Sequence, residues 1–290
     1  MVPHVTETGD RNKKMELQFW GVRGSIPVPG LHTVKVGGNT TCVTLRLDDY
    51  ILVFDAGTGL RQLGRYLEDE ERFRWRGSIF LTHYHWDHIQ GLPFFEAAFR
   101  EENRFNIYGE QKKGTAIQEI LSEQMEPPYF PVQLDTLEGI VNFSEAQPGM
   151  EIKISPGSVI RTVRLTHPGG ALGYRFDCPQ GSLCFITDHE HPAEGLSESV
   201  VEFVRGTTVL IHDAQYTPEE KQGPKATWGH SSWEEAALVA REAQVKKLYL
   251  IHHDPDRSDQ DLTVILRDAQ SVFPNTKIAT ESTVYDFGDK

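Results

Sequence analysis

The stretch LTHYHWDHIQG, residues 81–91, carries three histidines and an aspartate within six positions, directly after an apolar run. Side chains alternate along a strand, so His83 and His85 point the same way as the strand ends. Asp87 and His88 follow as the chain turns into the next helix. Imidazole nitrogens and a carboxylate on one tight turn are ligands that zinc and similar ions take. A histidine-rich surface loop is the simpler alternative, but this spacing after a strand favours a metal site.

Three more ligand-type residues come directly after apolar strands elsewhere in the chain. His167 follows RTVRLT, Asp188 follows LCFIT, and His252 follows KKLYLI. In open α/β sheets, the residues at the ends of the strands form the edge that carries the active site. Each residue alone could be a hydrogen-bonded turn residue, but the repetition predicts that all three join the first cluster. His253 is the alternative to its neighbour His252.

Strand and helix patterns are mixed along the whole chain, which predicts an α/β architecture with helices that cover a sheet core in layers. The predicted strands are at 15–20, 41–47, 50–54, 78–82, 159–165, 171–176, 183–186, 207–211 and 247–251. The predicted helices are at 59–68, 90–100, 114–125, 195–204, 232–243 and 258–270. The helix at 232 has a capping box, formed by Ser232 and Glu235.

One domain is predicted over residues 15–290, preceded by a disordered polar tail over residues 1–14. Residues 101–150 are the least regular part of this domain. The stretch MEPPYFPVQL within them is interpreted as an excursion over the surface, either at the rim of the site or in contact with another subunit.

The chain has 290 residues and a formal net charge of −13. Such a surface repels phosphate backbones, so a long nucleic acid is an unfavourable partner and a small substrate is favoured. The three cysteines, Cys42, Cys178 and Cys184, suit a reducing compartment. The N-terminal segment lacks the apolar core of a signal peptide, and no apolar run is long enough for a membrane span, so we expect a cytoplasmic protein.

The motif HYHWDH, with the downstream His167, Asp188 and His252, resembles the metal-binding pattern of the metallo-β-lactamase superfamily. Further stretches resemble the phosphodiesterase and ribonuclease Z-like branch of that superfamily, and the resemblance covers residues 15–285. These stretches are GVRGSIPVPG, GGNTTCV, VFDAGTGLRQLG, GHSSWEEAALVA and LYLIHHDP. The resemblance implies the four-layer αββα sandwich of the superfamily. It also suggests a homodimer, with residues 101–150 as the contact between subunits.

The same resemblance implies a site for two divalent ions, zinc in the first place, with manganese and iron as alternatives. It assigns His83, His85 and His167 to one ion, and Asp87, His88 and His252 to the other. Asp188 would bridge the two ions through its two carboxylate oxygens. A water shared by two such ions loses a proton near neutral pH, and the resulting hydroxide would be the nucleophile.

His230, in WGHSS, resembles the histidine that meets the scissile phosphate in ribonuclease Z-like proteins. It would stabilise negative charge or protonate a departing oxygen, although a capping or surface histidine is the alternative. Catalytic roles are assigned to His230 and Asp87. Asp213 also follows a strand, and we predict that it supports the ligands from behind.

The resemblance favours hydrolysis of phosphodiesters. Twenty residues separate His167 from Asp188, which leaves no room for the long arm that ribonuclease Z proteins use to grip tRNA. A small cyclic nucleotide is therefore the first expectation for the substrate. One alternative is a ribonuclease Z-like nuclease that acts on short RNA or single-stranded DNA, and the other is a non-catalytic, metal-bound sensor.

Two further motifs have competing interpretations. DAGTGLRQLG resembles a dinucleotide-binding fingerprint, but its third glycine is too far from the second. Asp55 at its start is instead predicted to brace the metal loop. Arg23, in GVRGSIP, either contacts phosphate or forms a structural salt bridge. The chain lacks Gly-x-Ser-x-Gly, the usual turn of serine hydrolases.

Overall fold

The computed structural model describes residues 15–70, 74–223 and 225–286. Within these ranges the strands form two sheets of seven strands each. The predicted tail over residues 1–14 lies outside the described residues.

The first sheet is built mainly from the N-terminal half of the chain. In spatial order its strands are β14 (Val284–Asp286), β1 (Met15–Gly21), β2 (Cys42–Leu47), β3 (Tyr50–Phe54), β4 (Arg76–Phe80), β5 (Arg104–Gly109) and β6 (Ile140–Glu145). The pairs from β14 to β3 are antiparallel, and those from β3 to β6 are parallel. Because β3 and β4 run the same way, they end at the same edge of the sheet.

The second sheet comes from the C-terminal half. In spatial order its strands are β13 (Thr276–Ile278), β12 (Lys247–Ile251), β11 (Val209–Asp213), β10 (Gly181–Ile186), β9 (Ala171–Cys178), β8 (Ser158–Leu165) and β7 (Glu151–Ser155). The strands β10 to β13 pair in parallel, whereas β9 is antiparallel to both β8 and β10. The ends of β8, β10, β11 and β12 therefore lie at one edge.

The described helices are α1 (Gly59–Asp69), α2 (Trp86–Ile89), α3 (Ile117–Glu123), α4 (Glu198–Val204), α5 (Pro218–Gln222), α6 (Trp233–Glu242) and α7 (Asp259–Val272). The predicted capping box at the start of α6 is confirmed, because the Ser232 hydroxyl accepts the Glu235 N–H at 3.2 Å and the Glu235 carboxylate accepts the Ser232 N–H at 2.8 Å. No described helix combines the length and apolar character that a membrane crossing requires.

Three apolar layers hold the elements together. Along β3, Ile51 and Val53 pack on the side of α1, whereas Leu52 and Phe54 face the second sheet. This alternation follows from the two-residue period of a strand that is covered on both faces. The third layer joins the far side of the second sheet to α4, α6 and α7. The order of layers is helix, sheet, sheet and helix, which confirms the predicted αββα sandwich.

The predicted helix over residues 90–100 is wrong. Two short 3-10 turns occupy this stretch, Leu92–Phe94 and Glu96–Phe99, and Phe95 between them has a ψ of 87°, outside the helical range. Pro93 provides no N–H to an α-helical hydrogen bond, which favours the break. The spacing of the apolar residues in this stretch resembles that of a helix. In the structure these residues pack beneath α1 as two separate turns.

Residues 101–150 are more regular than predicted. They contribute β5 and β6 to the first sheet, and β5 buries Phe105 and Ile107 completely. The alternation in RFNIYG is the sequence signal for this strand. Within the MEPPYFPVQL stretch, Tyr129 is 82% exposed, as expected of a surface excursion.

The last strand closes the first sheet, because β14 pairs with β1 across Leu17 and Tyr285. Just before β14, the Glu281 carboxylate accepts the Asn39 backbone N–H at 2.6 Å and its side-chain amide at 2.8 Å. The C-terminal segment therefore also fixes the end of the loop that leads from β1 to β2.

Candidate metal centre

The site lies where strands of both sheets end. Asp55 follows β3, Asp188 comes two residues after β10, and His252 follows β12. All three have a left-handed backbone, with φ of 61°, 56° and 60° respectively. Residues other than glycine seldom adopt this conformation, and it recurs at functional sites, where the surrounding structure enforces it.

Ligand-type atoms converge here in three overlapping groups, and within each group all of the ligand atoms lie within 4.8 Å of one another. The groups are His83, His85, His167 and Asp188; Asp87, His88 and His252; and Asp188, His230 and His252. All seven residues predicted as ligands are thus brought together, although they come from widely separated parts of the chain. His230 joins them in the third group.

Asp188 lies between the histidines of the first group and the histidines of the second group. Its Oδ2 is 3.6 Å from His83 Nε2 and 3.5 Å from His167 Nε2. Its Oδ1 is 3.2 Å from both His88 Nε2 and His252 Nε2. Because one oxygen faces each group, the carboxylate has the placement that a bridge between two ions requires.

Three of the ligand histidines donate their Nδ1 hydrogen to a fixed oxygen. The pairs are His88 with the Asp55 carboxylate at 2.8 Å, His167 with the Gly229 carbonyl at 2.9 Å, and His252 with the Gln215 side-chain oxygen at 2.9 Å. A neutral imidazole that donates from Nδ1 carries its lone pair on Nε2. Metal-binding histidines are characteristically oriented by such contacts.

Ring nitrogens consequently face each other at short distances. His88 Nε2 lies 3.2 Å from His252 Nε2, and His167 Nε2 lies 3.0 Å from His85 Nδ1. His83 Nε2 is buried without a hydrogen-bond partner. Two lone pairs at such distances repel each other unless a proton or a cation lies between them. The residues present therefore fit divalent metal ions, which take imidazole and carboxylate ligands together.

The carboxylates and histidines of the site maintain each other's charge. Burial disfavours the imidazolium of His252, but nearby carboxylates, Asp188 foremost, outweigh burial and raise the pKa of His252 to about 9. Burial also opposes the ionised form of Asp87, yet His88 and His252 hold its pKa well below the usual range. Asp87 therefore stays ionised, as a metal ligand must be, and binding of a cation would displace the proton that the carboxylates stabilise on His252.

Asp55 braces the loop that carries the first ligands. This buried carboxylate accepts the Thr82 backbone N–H at 2.8 Å and the Nδ1 hydrogen of His88 at 2.8 Å. It thereby ties the end of β3 to the segment after β4.

His230 lines the pocket and is held by Asp213. Its Nδ1 hydrogen is donated to Asp213 Oδ2 at 3.0 Å. Asp213 is fully buried and also accepts the backbone N–H groups of His189 at 3.2 Å and Gln215 at 3.1 Å. Because the carboxylate is fixed in this way, it orients the His230 ring and leaves Nε2 as the nitrogen available to a substrate.

Arg23 does not line the pocket. It is fully buried and donates to the carbonyl oxygens of Gly37 at 2.8 Å and Arg257 at 2.7 Å. The interpretation that it contacts phosphate is therefore wrong, and it joins two loops instead. His253 lies beside Arg23, and no group of converging ligand atoms includes it, whereas two groups include His252.

Sequence reasoning missed Glu190. Its two carboxylate oxygens accept the backbone N–H groups of Thr227 and Gly229, each at 2.9 Å. The Gly229 carbonyl in turn orients His167. The partners of Glu190 lie 37 and 39 positions away, so local sequence carries no signal for these contacts.

Gln215 was also missed. It orients His252 through its side-chain oxygen and donates to the Ser25 hydroxyl at 3.4 Å. Its place two residues after the end of β11 is a signal that could have found it, because the other functional residues also follow strand ends.

A pocket of about 480 Å³ opens onto these residues. Five of its lining residues belong to the groups described above, and the others are Ser25, Tyr84 and Trp86. The volume is in the range of small-molecule sites. None of these lining residues is a lysine or an arginine.

Comparison with known sequences identifies relatives over nearly the whole chain. The ribonuclease Z of Thermoplasma acidophilum is 27% identical, over 92% of this chain and 95% of its own length. The ribonuclease Z of Listeria monocytogenes is 26% identical, over 95% of this chain and 100% of its own length.

Solved structures share the fold. The metallo-β-lactamase fold protein YhfI from Bacillus subtilis superposes with a TM-score of 0.70 at 19% identity, over 95% of this chain and all of that one. The short form of human tRNase Z superposes with a TM-score of 0.66 at 18% identity, over 94% of this chain and 99% of that one. At these identities the likeness concerns the fold alone.

A family model described as the beta-lactamase superfamily domain matches residues 50–253, which is most of the chain and includes the predicted metal ligands. The fold and the relatives agree with this match. The chain therefore belongs to the β-lactamase superfamily, with the metallo-β-lactamase fold and with ribonuclease Z proteins among its relatives.

Proposed function

We propose that this chain is a metal-dependent phosphodiesterase with a centre for two divalent ions. The observation that carries the proposal is the position of Asp188 between two sets of imidazole nitrogens. The His230–Asp213 pair at the same pocket adds a candidate proton donor. Relatives named ribonuclease Z, which align over nearly their full length, favour phosphodiesters over the other bonds that this superfamily cleaves.

The first ion would be held by His83, His85 and His167, the second by Asp87, His88 and His252, and both by Asp188. Bound there, they would supply Lewis acidity, which lowers the pKa of a water and withdraws charge from a phosphoryl oxygen. The protein holds Asp87 in place, because the Ser25 backbone N–H donates to its Oδ2 at 2.7 Å. Asp87, fixed in this way, would orient the attacking water.

His230 acts on the leaving group in this proposal. Asp213 accepts the hydrogen on Nδ1, so Nε2 of the protonated ring carries the proton that faces the pocket. Donation from Nε2 to the departing oxygen would avoid an alkoxide leaving group. The buried Asp213 carboxylate holds the ring in the orientation that this step requires.

The relatives favour the nuclease alternative over the cyclic nucleotide that the sequence suggested first. We therefore propose short or single-stranded RNA as the first substrate class. A small phosphodiester is the second candidate, favoured by the pocket lining without lysine or arginine. The turns between β8 and β9 and between β9 and β10 are short, so this part of the described chain holds no arm for a folded tRNA.

The test is a panel of substrates given to protein reconstituted with zinc or manganese. Bis(p-nitrophenyl) phosphate reports the reaction class, and short RNAs, single-stranded DNAs, cyclic mononucleotides and cyclic dinucleotides report the substrate class. The proposal predicts turnover that His85→Ala abolishes together with metal binding. If the wild type bound metal but hydrolysed no diester, the non-catalytic sensor would be favoured instead.

A further inference from the structure

Trp86 is an exposed aromatic side chain between two metal-ligand residues. It is 81% exposed and lines the pocket, with His85 before it and Asp87 after it. Most of a tryptophan is normally buried, since its large apolar surface is unfavourable in water. An indole held in the mouth of a pocket is therefore a candidate contact for an apolar or aromatic part of a ligand.

The backbone around Trp86 is fixed. Its carbonyl accepts the Gln90 N–H at 2.8 Å, and the neighbouring His88 both accepts the Ala56 N–H at 2.8 Å and donates its own N–H to His85 at 2.9 Å. The attachment point of the indole is therefore placed relative to the ligand groups. Such a platform orders a ligand ring at a smaller entropic cost than a mobile loop would.

The charges around the pocket limit what else can bind the substrate. The carboxylates in the lining belong to the proposed metal centre, and among the described residues the lining contains no lysine or arginine. Two lysines on flanking loops are occupied, because Lys112 donates to the carbonyls of Gly169 and Gly170, and Lys225 pairs with Asp254. A second phosphate of the substrate would meet no cationic side chain among the described lining residues. Outside the metal centre, the substrate would therefore be recognised through contacts with aromatic rings.

We infer that Trp86 is a stacking platform for a nucleobase, so that the substrate is a nucleotide phosphodiester whose base lies next to the scissile phosphate. This inference rests on the proposed phosphodiesterase function. Tyr84 forms another wall of the pocket, and its ring is fixed by the hydroxyl, which donates to the Glu110 carbonyl at 2.7 Å. Base stacking tolerates all four bases, because each has a flat π face.

The kinetic test compares two diesters with the same leaving group. Thymidine 5′-p-nitrophenyl phosphate carries a base, and ethyl p-nitrophenyl phosphate does not. Trp86→Ala should lower kcat/KM for the thymidine ester by about 10-fold or more, the range of a lost base–aromatic stack, and change that for the ethyl ester little. Trp86→Phe should recover part of the loss. Equal losses on both esters with metal content unchanged would overturn the inference.

A binding test separates this inference from the proposed function. Uridine 5′-monophosphate should quench the tryptophan fluorescence of the metal-loaded wild type, and Trp86→Phe should remove that quenching. Tyr129→Ala is the matched control, because Tyr129 is 82% exposed and does not line the pocket. A wild type that hydrolyses no diester would refute the phosphodiesterase, whereas quenching that survives in Trp86→Phe would refute the platform.

Discussion

Two clusters of mostly buried histidines adjoin each other at Asp188–His189 and have different surroundings. In the metal centre the rings surround Asp87 and Asp188. In the second cluster, His189, His191 and His212 contact one another, with 3.2 Å between His189 Nε2 and His191 Nδ1. Among the described residues, the groups of converging ligand atoms include none of these three. The two clusters therefore differ in their carboxylates, since Asp87 and Asp188 lie within 3.3 Å of ring nitrogens in the first cluster.

The pKa values show the same contrast. Burial, with the neighbouring His212 next in importance, lowers the pKa of His189 to about 3, and burial also lowers the pKa values of His191 and His212. In the metal centre, carboxylates overcome the same burial at His252. Burial thus keeps the second cluster neutral. Two of its rings act as acceptors, because His189 accepts the Thr166 N–H and His191 accepts the Ser197 N–H, each at 3.1 Å.

The largest expected effect comes from removing the central carboxylate. Asp188→Asn should abolish diester hydrolysis and strip bound metal, because the amide supplies neither the charge nor the second acceptor oxygen that two ions need. His191→Gln, in the second cluster, should keep its metal. Elemental analysis after reconstitution checks both variants, and equal metal loss in the two would erase the distinction between the clusters.

His230→Ala separates metal binding from proton transfer. We expect full metal content with turnover lowered roughly 10²-fold or more, the usual contribution of a general acid. The pH–rate profile should also lose the limb that belongs to this acid. Wild-type turnover in this variant would remove His230 from the mechanism.

Glu190→Gln tests a link between the segment after Asp188 and the first metal group. An amide nitrogen cannot accept the N–H that one carboxylate oxygen now accepts, so the Gly229 carbonyl loses its fixed position behind His167. Loss of such supporting contacts typically costs 10–100-fold in metal affinity or activity. Competition with a chelator measures the affinity, and Glu194→Gln, an exposed acid on the same segment, is the control. Identical chelator curves for the two variants would show that Glu190 has no role in orienting His167.

The smallest effect is a pH dependence of stability in the second cluster. Burial lowers the pKa values of His191 and His212 in the folded state. Below about pH 6.5, the unfolded chain therefore binds protons at these two histidines and the folded chain does not. Their contribution to stability is present above that pH and falls with acidification, by about 1.4 kcal/mol per pH unit for each histidine.

Urea unfolding of metal-free protein at several pH values measures this slope. The double variant His191→Gln, His212→Gln should have a shallower fall of the free energy of unfolding below pH 6.5 than the wild type. Parallel curves would mean that these histidines already accept protons in the folded state.

The convergence of the predicted ligand residues follows from sequence, because each of their segments follows a strand, and a strand end has a local signature. His83, Asp188 and His252 are examples, and the αββα layering follows from the same strand pattern. The contacts of Glu190 could not be predicted, because they depend on which loops meet after folding. For Gln215, the end of β11 marks the residue but not its partners. The strands β6 and β7 escaped prediction because they lie at sheet edges and bury few side chains, and β13 and β14 have only three residues each.

The pairing of β14 with β1 also protects a sheet edge. Without it, β1 would be the edge strand of the first sheet, and its unpaired N–H and C=O groups could pair with another chain. Glu281, just before β14, holds Asn39 in the loop that follows β1. Disrupting β14 would therefore expose a template for aggregation and loosen that loop at the same time.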